Sequence, residues 1–143
     1  MAKISLKGAP ELEAALKQLG GAVAGRLGEN AVRAGARVIA AQAKSTARWT
    51  DRTGTLRKSI RAFSDPASRQ SGGTQRTAYA GSRDFRARFF EFGTVKMAAR
   101  PFLRPALDTG GQAAVDKMVE NLGRGIEREV KKRGADAAPE AID

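Results

Sequence analysis

Four carboxylates occupy the middle of this 143-residue chain, Asp51, Asp65, Asp84 and Glu91, and each has an arginine within four residues. Carboxylates are what a metal-dependent nuclease would use, because two or more must converge on one cation. These four are spread widely along the chain, and Asp51 and Asp65 fall in turn-like stretches where capping or solvated roles are the ordinary ones. Nucleophilic chemistry lacks its partners. Ser and Thr are plentiful, but the chain has no His and no Cys, which removes the imidazole base of a hydroxyl nucleophile, the thiolate, and the usual ligands of zinc. Lys44 before Ser45 is only an adjacent pair, and the glycines of "GSRDFRARFFEFGT" and "TGGQ" miss the phosphate-loop pattern. The residues therefore predict no enzyme, no cofactor and no metal.

The cations are more informative. Lys and Arg number 26 against 15 Asp and Glu, a formal charge of +11, which favours long-range attraction to polyanions. The excess is largest in residues 51–100, eleven bases against four acids, whereas residues 101–143 carry seven against eight. Arg52, Arg57, Lys58, Arg61, Arg69 and Arg76 form a cluster able to contact duplex phosphates or an acidic protein, with a solvated face as the plainer alternative. Aromatic residues are too few, and too concentrated in one stretch, for a protein that stacks single-stranded bases.

These residues need elements to hold them. "KISLKG" alternates as a short strand, and "APELEAALKQLGG" predicts a helix with Leu12, Leu16 and Leu19 inward. From Ala22 to Arg48 there is no proline, and Val23, Leu27, Ala31, Ala34, Val38 and Ala41 share one face of a long helix. That face is rich in Ala and Gly, suited to packing within the chain against a sheet or to a helix contact between subunits. "TDRTGTLRKSIRAFSD" turns and enters a strand, residues 66–75 read as a flexible loop, and "RTAYAGSR" is a second strand. Phe85, Phe89 and Phe92 have helical spacing, with Phe90 off that line. Past Pro101 and Pro105 comes an amphipathic helix with Val115, Met118, Val119, Leu122, Ile126 and Val130 inward, weakened near Gly123 and Gly125. The order predicts a single α+β domain over residues 1–133, a small antiparallel sheet packed against a long N-terminal helix and a C-terminal amphipathic helix, then a frayed tail over 134–143. The N-terminus lacks the apolar core of a secretory signal, and no apolar run approaches the roughly 18 residues of a membrane span, so a soluble protein made in the cytoplasm is expected.

Read together, "RTGTLRKSI" at 52–60, "AYAGSRDFRARFFEFGT" at 78–94 and "MAARPFLRPAL" at 97–107 follow one another after a long helix. In this order they resemble the small tail-completion, or neck, proteins of long-tailed double-stranded DNA bacteriophages and prophages, over residues 10–125. Tyr79 lies twelve residues before Glu91, farther than in that family's pattern, and Phe89 stands nearer the tyrosine's usual place.

The resemblance implies a virion protein with no enzymatic activity. It implies a ring of subunits, expected to number six, at the head-tail junction. The partners it implies are further copies of the chain, a head-completion or connector protein, and a tail terminator or tail tube protein, with non-specific contact to double-stranded DNA in the lumen and no membrane. Phe89, Glu91, Phe92, Gly93, Thr94, Arg100, Pro101, Phe102, Leu103 and Arg104 are the candidate subunit or neck interface. Phe89, Phe92, Phe102 and Leu103 are expected to anchor the loop to the core, and Glu91, with Arg88, Arg100 and Arg104 within reach along the chain, to form an ion pair within the subunit or across the ring. The competing reading is a free-standing basic protein that binds double-stranded DNA without sequence specificity.

Overall fold

The structure is a computed structural model and describes residues 9–47, 49–70 and 75–136. The elements are α1 (Ala9–Leu19), α2 (Gly21–Thr46), α3 (Thr55–Ser59), β1 (Ile60–Ser64), α4 (Pro66–Gln70), β2 (Ala78–Ser82), α5 (Arg86–Phe92) and α6 (Leu103–Asp136). This is the expected α+β arrangement, with β1 and β2 forming an antiparallel pair in which Ile60 faces Ser82 and Phe63 faces Tyr79. The strand expected at residues 3–7 lies outside the described residues.

Two long helices form the frame. α2 and α6 run antiparallel, since Leu27 meets Gly125, Gly35 meets Ala114 and Met118, and Ile39 and Gln42 meet Gly110. Small side chains set the spacing. A Cβ on Gly35 would lie 2.5 Å from Met118 Cγ, and one on Gly125 would lie 2.8 Å from Leu27 Cδ2. Glycine costs a helix about 1 kcal/mol of propensity, and here close backbone approach is the return. The Ala- and Gly-rich face of α2 is thus packed inside the chain, against α6 and then against β1 and β2. Its buried line passes through Ala24, Leu27, Ala31 and Ala34 to Ala36, Ala40 and Ala43. The expected Ala41 is exposed and Val38 half-buried, because toward its C-terminal end α2 packs against the strand pair as well as α6, which draws Ala36, Ala40 and Ala43 inward instead.

Among the described residues, apolar burial has two centres. Leu19, Leu27 and Ile126 pack together where α1 meets the helix pair, with Leu16, Val23 and Leu122 beside them. At the other end Trp49, Leu56, Ile60, Ala87, Phe102 and Ala106 enclose the sheet side of α2, joined by Phe90 and Leu103. Trp49 is its hub. Its ring stacks on Phe90 at 4.9 Å and meets Phe102 edge-on at 5.6 Å. Such contacts add about 1 kcal/mol each beyond area burial.

Local departures from expectation have local causes. A helical turn, α3, precedes β1, since Leu56 and Ile60 sit four apart and both face Trp49's cluster. α4 occupies the first half of the expected loop, with Pro66 at the first helical position where its missing N–H costs nothing. Residues 71–74 of that loop lie outside the described residues. α6 continues unbroken past Gly123 and Gly125 to Asp136, and the tail beyond it is likewise outside the described residues.

Candidate functional site

The four central carboxylates do not converge. Each serves the start of a different helix, where backbone N–H groups have no helical partner. Asp51 Oδ2 accepts from Arg57 N in α3 at 2.8 Å, and Asp65 Oδ1 accepts from Ala67 N in α4 at 3.0 Å. Asp84 Oδ1 accepts from Arg86 N in α5 at 3.0 Å. Glu91 reaches farthest: Phe102 N and Leu103 N donate to Oε2 at 2.8 and 3.0 Å, and Arg104 N donates to Oε1 at 3.2 Å. Glu91 thus caps α6, and among the described residues it makes no ion pair within the subunit with Arg88, Arg100 or Arg104. Pro105, next in line, has no N–H to satisfy. Among the described residues no group of three or more Asp and Glu could hold a metal ion.

Charge at these sites moves ionisation in the expected directions. The Arg86 guanidinium, hydrogen-bonded and ion-paired to Asp84, holds that carboxyl below its ordinary range. Arg69 does the same to Glu29. The charge of Asp65 and its hydrogen bond with the Tyr79 hydroxyl, 3.3 Å away, push the phenol up.

The basic cluster read from the sequence separates in space. Arg57 donates to the carbonyls of Lys44 and Ala47, closing the end of α2, and its guanidinium lies 5.2 Å from the Trp49 ring centre. Arg69 pairs with Glu29, and Arg76 lies against Gly25 while donating to Ser68 O and Gln75 O. Those three guanidinia are committed within the chain. Arg52, Lys58 and Arg61 are exposed, Arg61 lying over the Phe63 ring.

The segment from α5 to the start of α6 is the most distinctive surface. Ala87 and Phe90 turn inward and Glu91 reaches α6, a spacing of three and four that defines the inner face of α5. Phe85, Phe89 and Phe92 consequently point out, with 72%, 41% and 73% of their surface exposed. This corrects the expectation that Phe89 and Phe92 anchor the core; Phe90 and the fully buried Phe102 do that, with Leu103 packed beside them. Gly93 then turns the chain at φ +75°, and a Cβ there would lie 2.8 Å from Ala99 N. Thr94 pairs with Met97 across a tight turn that leaves Val95 fully exposed, and Arg100 N donates to Phe90 O at 2.7 Å. The Arg100, Pro101 and Arg104 side chains remain on the surface. An aromatic face flanked by cations has the character of a surface that binds another surface.

Residues 10–93, α1 through the turn at Gly93, match the model of a family described as "Bacteriophage HK97-gp10, putative tail-component". The chain belongs to this HK97-gp10-like family. No curated protein and no solved structure matches it. The family is one of phage tail components, which supports a structural role in the virion. No helix among the described residues is long and apolar enough to cross a membrane. In this HK97-gp10-like chain the matched region carries the aromatic face of α5, and Glu91 ties that region to α6 beyond it.

Two features escaped the sequence reading. Trp49, the only tryptophan, sits beside the turn-forming "TDRTG" and showed no periodic partner, though a lone large aromatic next to a predicted helix end is a sufficient reason to expect a hub. The second is the set of α2 arginines at positions 26, 33 and 37, which helical spacing from its apolar residues would have placed outside the apolar face.

Proposed function

We propose that this chain is a tail-completion protein of the phage neck, a subunit of a ring between the head connector and the tail tube or its terminator, through which DNA passes. The observation that carries the reading is the exposed face of Phe85, Phe89, Phe92 and Val95 in a chain of a phage tail-component family. Large aromatics exposed side by side mark an interaction surface. Phe85 and Phe89 already meet edge-on at 5.9 Å, so the face is partly ordered before any partner arrives.

A closed ring needs two unlike surfaces on each subunit, because head-to-tail contacts join one face to a different face of the next copy. The second surface in this reading is an apolar groove of about 660 Å³ between α2, β2 and the first turns of α6, with Ile39, Ala80, Leu103 and Val115 in its lining. Tyr79 and Leu107 stand at its margin, each about half exposed. The ring seats the aromatic face of one copy in the groove of the next, six copies being the expected number.

Phage lacking the protein tests this reading. Full heads beside unjoined tails are the expected product, and normal joined particles would overturn it. The free-standing DNA-binding alternative predicts joined particles together with duplex binding by the isolated chain at near-physiological salt.

A further inference from the structure

We infer that the face formed by α2, the strand pair and the middle of α6 is a docking surface for the phosphate backbone of double-stranded DNA, built on Arg33, Arg37, Arg61, Arg83 and Arg128. None of these except Arg61 belongs to the basic cluster seen in the sequence.

The surface is two adjoining concavities, of about 450 and 360 Å³, that share Arg33 in their lining. Arg26, Arg33 and Arg37 follow one another along α2 at helical spacing, covering ~16 Å at 1.5 Å per residue. Arg128 faces them from α6, and Arg61 and Arg83 continue the line on the sheet side. Two acids are used up: Glu129 by Arg26 and Glu29 by Arg69. The five arginines named have no carboxylate partner among the described residues, so the face is strongly electropositive.

Three observations favour duplex backbone over other anions. The cations lining these concavities are arginines throughout, whose forked donors suit phosphate. None of the exposed large apolar side chains, Phe85, Phe89, Phe92, Tyr79, Val95, Leu107 and Val130, lines them, whereas a protein partner would need an apolar centre. The one aromatic ring present, Phe63, already carries Arg61 at 5.2 Å and Arg83 at 4.5 Å, which leaves little free face for stacking single-stranded bases. B-form DNA presents one charge per ~1.7 Å of axis, so contact needs no sequence register.

This inference rests on the ring reading only for which DNA is met, the genome in transit; the surface itself is measured on the isolated chain. The probe is a labelled 24-base-pair duplex in about 50 mM salt, titrated by fluorescence anisotropy. The expected result is weak, salt-sensitive binding that R33Q/R37Q reduces about tenfold or more, with the slope of log K against log salt falling by about two, since each phosphate contact contributes ~0.9. The charge-matched R52Q/K58Q variant, altered at exposed residues outside these concavities, should change affinity less than threefold. Unfolding followed by Trp49 fluorescence confirms that both variants are folded. Equal losses in the two variants, no binding by the wild type at this salt, or displacement by polyglutamate as readily as by unlabelled duplex would each overturn the proposal. Its failure leaves the ring untouched, because joined or unjoined particles report on assembly independently of DNA affinity.

Discussion

Removing the Glu91 carboxylate should uncouple α6 from the segment that carries the aromatic face. Its two oxygens accept from three consecutive N–H groups at 2.8, 3.0 and 3.2 Å. Capping bonds are worth ~1–2 kcal/mol. A negative charge at a helix start adds ~0.3–1 kcal/mol. Because Glu91 is only half-buried, water partly replaces what is lost, and Glu91→Ala is expected to cost about 2–3 kcal/mol. That corresponds to a Tm about 6–9 °C lower for a chain of this length. Glu91→Gln keeps one acceptor oxygen without charge and should cost about 1 kcal/mol. The assay is urea unfolding followed by Trp49, which stacks on Phe90 and touches Phe102 on the two sides of the capped junction. Arg88→Gln, Arg100→Gln and Arg104→Gln should each stay within about 0.5 kcal/mol of wild type. The capping argument is refuted if Glu91→Ala unfolds with the wild type, or if one arginine variant reproduces the Glu91→Gln loss, since the latter would mean an ion pair.

Gly93→Ala places a Cβ 2.8 Å from Ala99 N at a φ of +75° and should destabilise by about 2 kcal/mol or more, read by the same urea titration. Gly35→Ala meets Met118 at 2.5 Å, but that side chain can move, so a smaller loss of about 1 kcal/mol is expected from the shift of the α2–α6 pair. Phe85→Ser with Phe92→Ser should leave monomer stability within about 0.5 kcal/mol yet abolish joined particles, scored by electron microscopy of lysates. Glu29 and Asp84 have folded-state carboxyls held below their ordinary ranges, so they stabilise the fold above those ranges and lose that contribution as pH falls through the lowered values. Stability should therefore decline below about pH 4.5, less steeply in Glu29→Gln, as measured by Tm against pH. Tyr79 is the only tyrosine, so an alkaline absorbance titration reads it alone; Asp65→Asn should move its midpoint down toward the ordinary phenol value.

Periodicity made the frame legible. The uninterrupted run from Ala22 and the apolar spacing after Pro105 announced α2 and α6, and the turn residues Thr50, Asp51, Thr53 and Gly54 announced the turn ahead of β1. What periodicity could not supply was rotation. Phe85, Phe89 and Phe92 share one helical face whether it points in or out, and the decision belonged to Ala87, Phe90 and Glu91, whose partners Trp49 and the start of α6 are distant in sequence. The turn-like settings of Asp51 and Asp65 announced their capping roles, but Glu91 was misread: an acid beside arginines looks like an ion pair along the chain, whereas Glu91 answers backbone N–H groups that become orphans only when α6 forms. Arg57 answers carbonyls at the end of α2 by the same logic. The arginine surface of α2, β1 and α6 is assembled from segments up to about a hundred residues apart, and no local window contains it.

In the proposed neck ring, copies of this tail-component chain join through the α5 face. A cryo-electron microscopy map of intact particles at the head-tail junction tests it most directly. The prediction is a closed ring of this chain between connector and tail tube, with Phe85, Phe89 and Phe92 buried against the neighbouring copy and Arg33 and Arg37 facing the lumen. A junction without the chain, or a ring in which those phenylalanines remain in solvent, would contradict it.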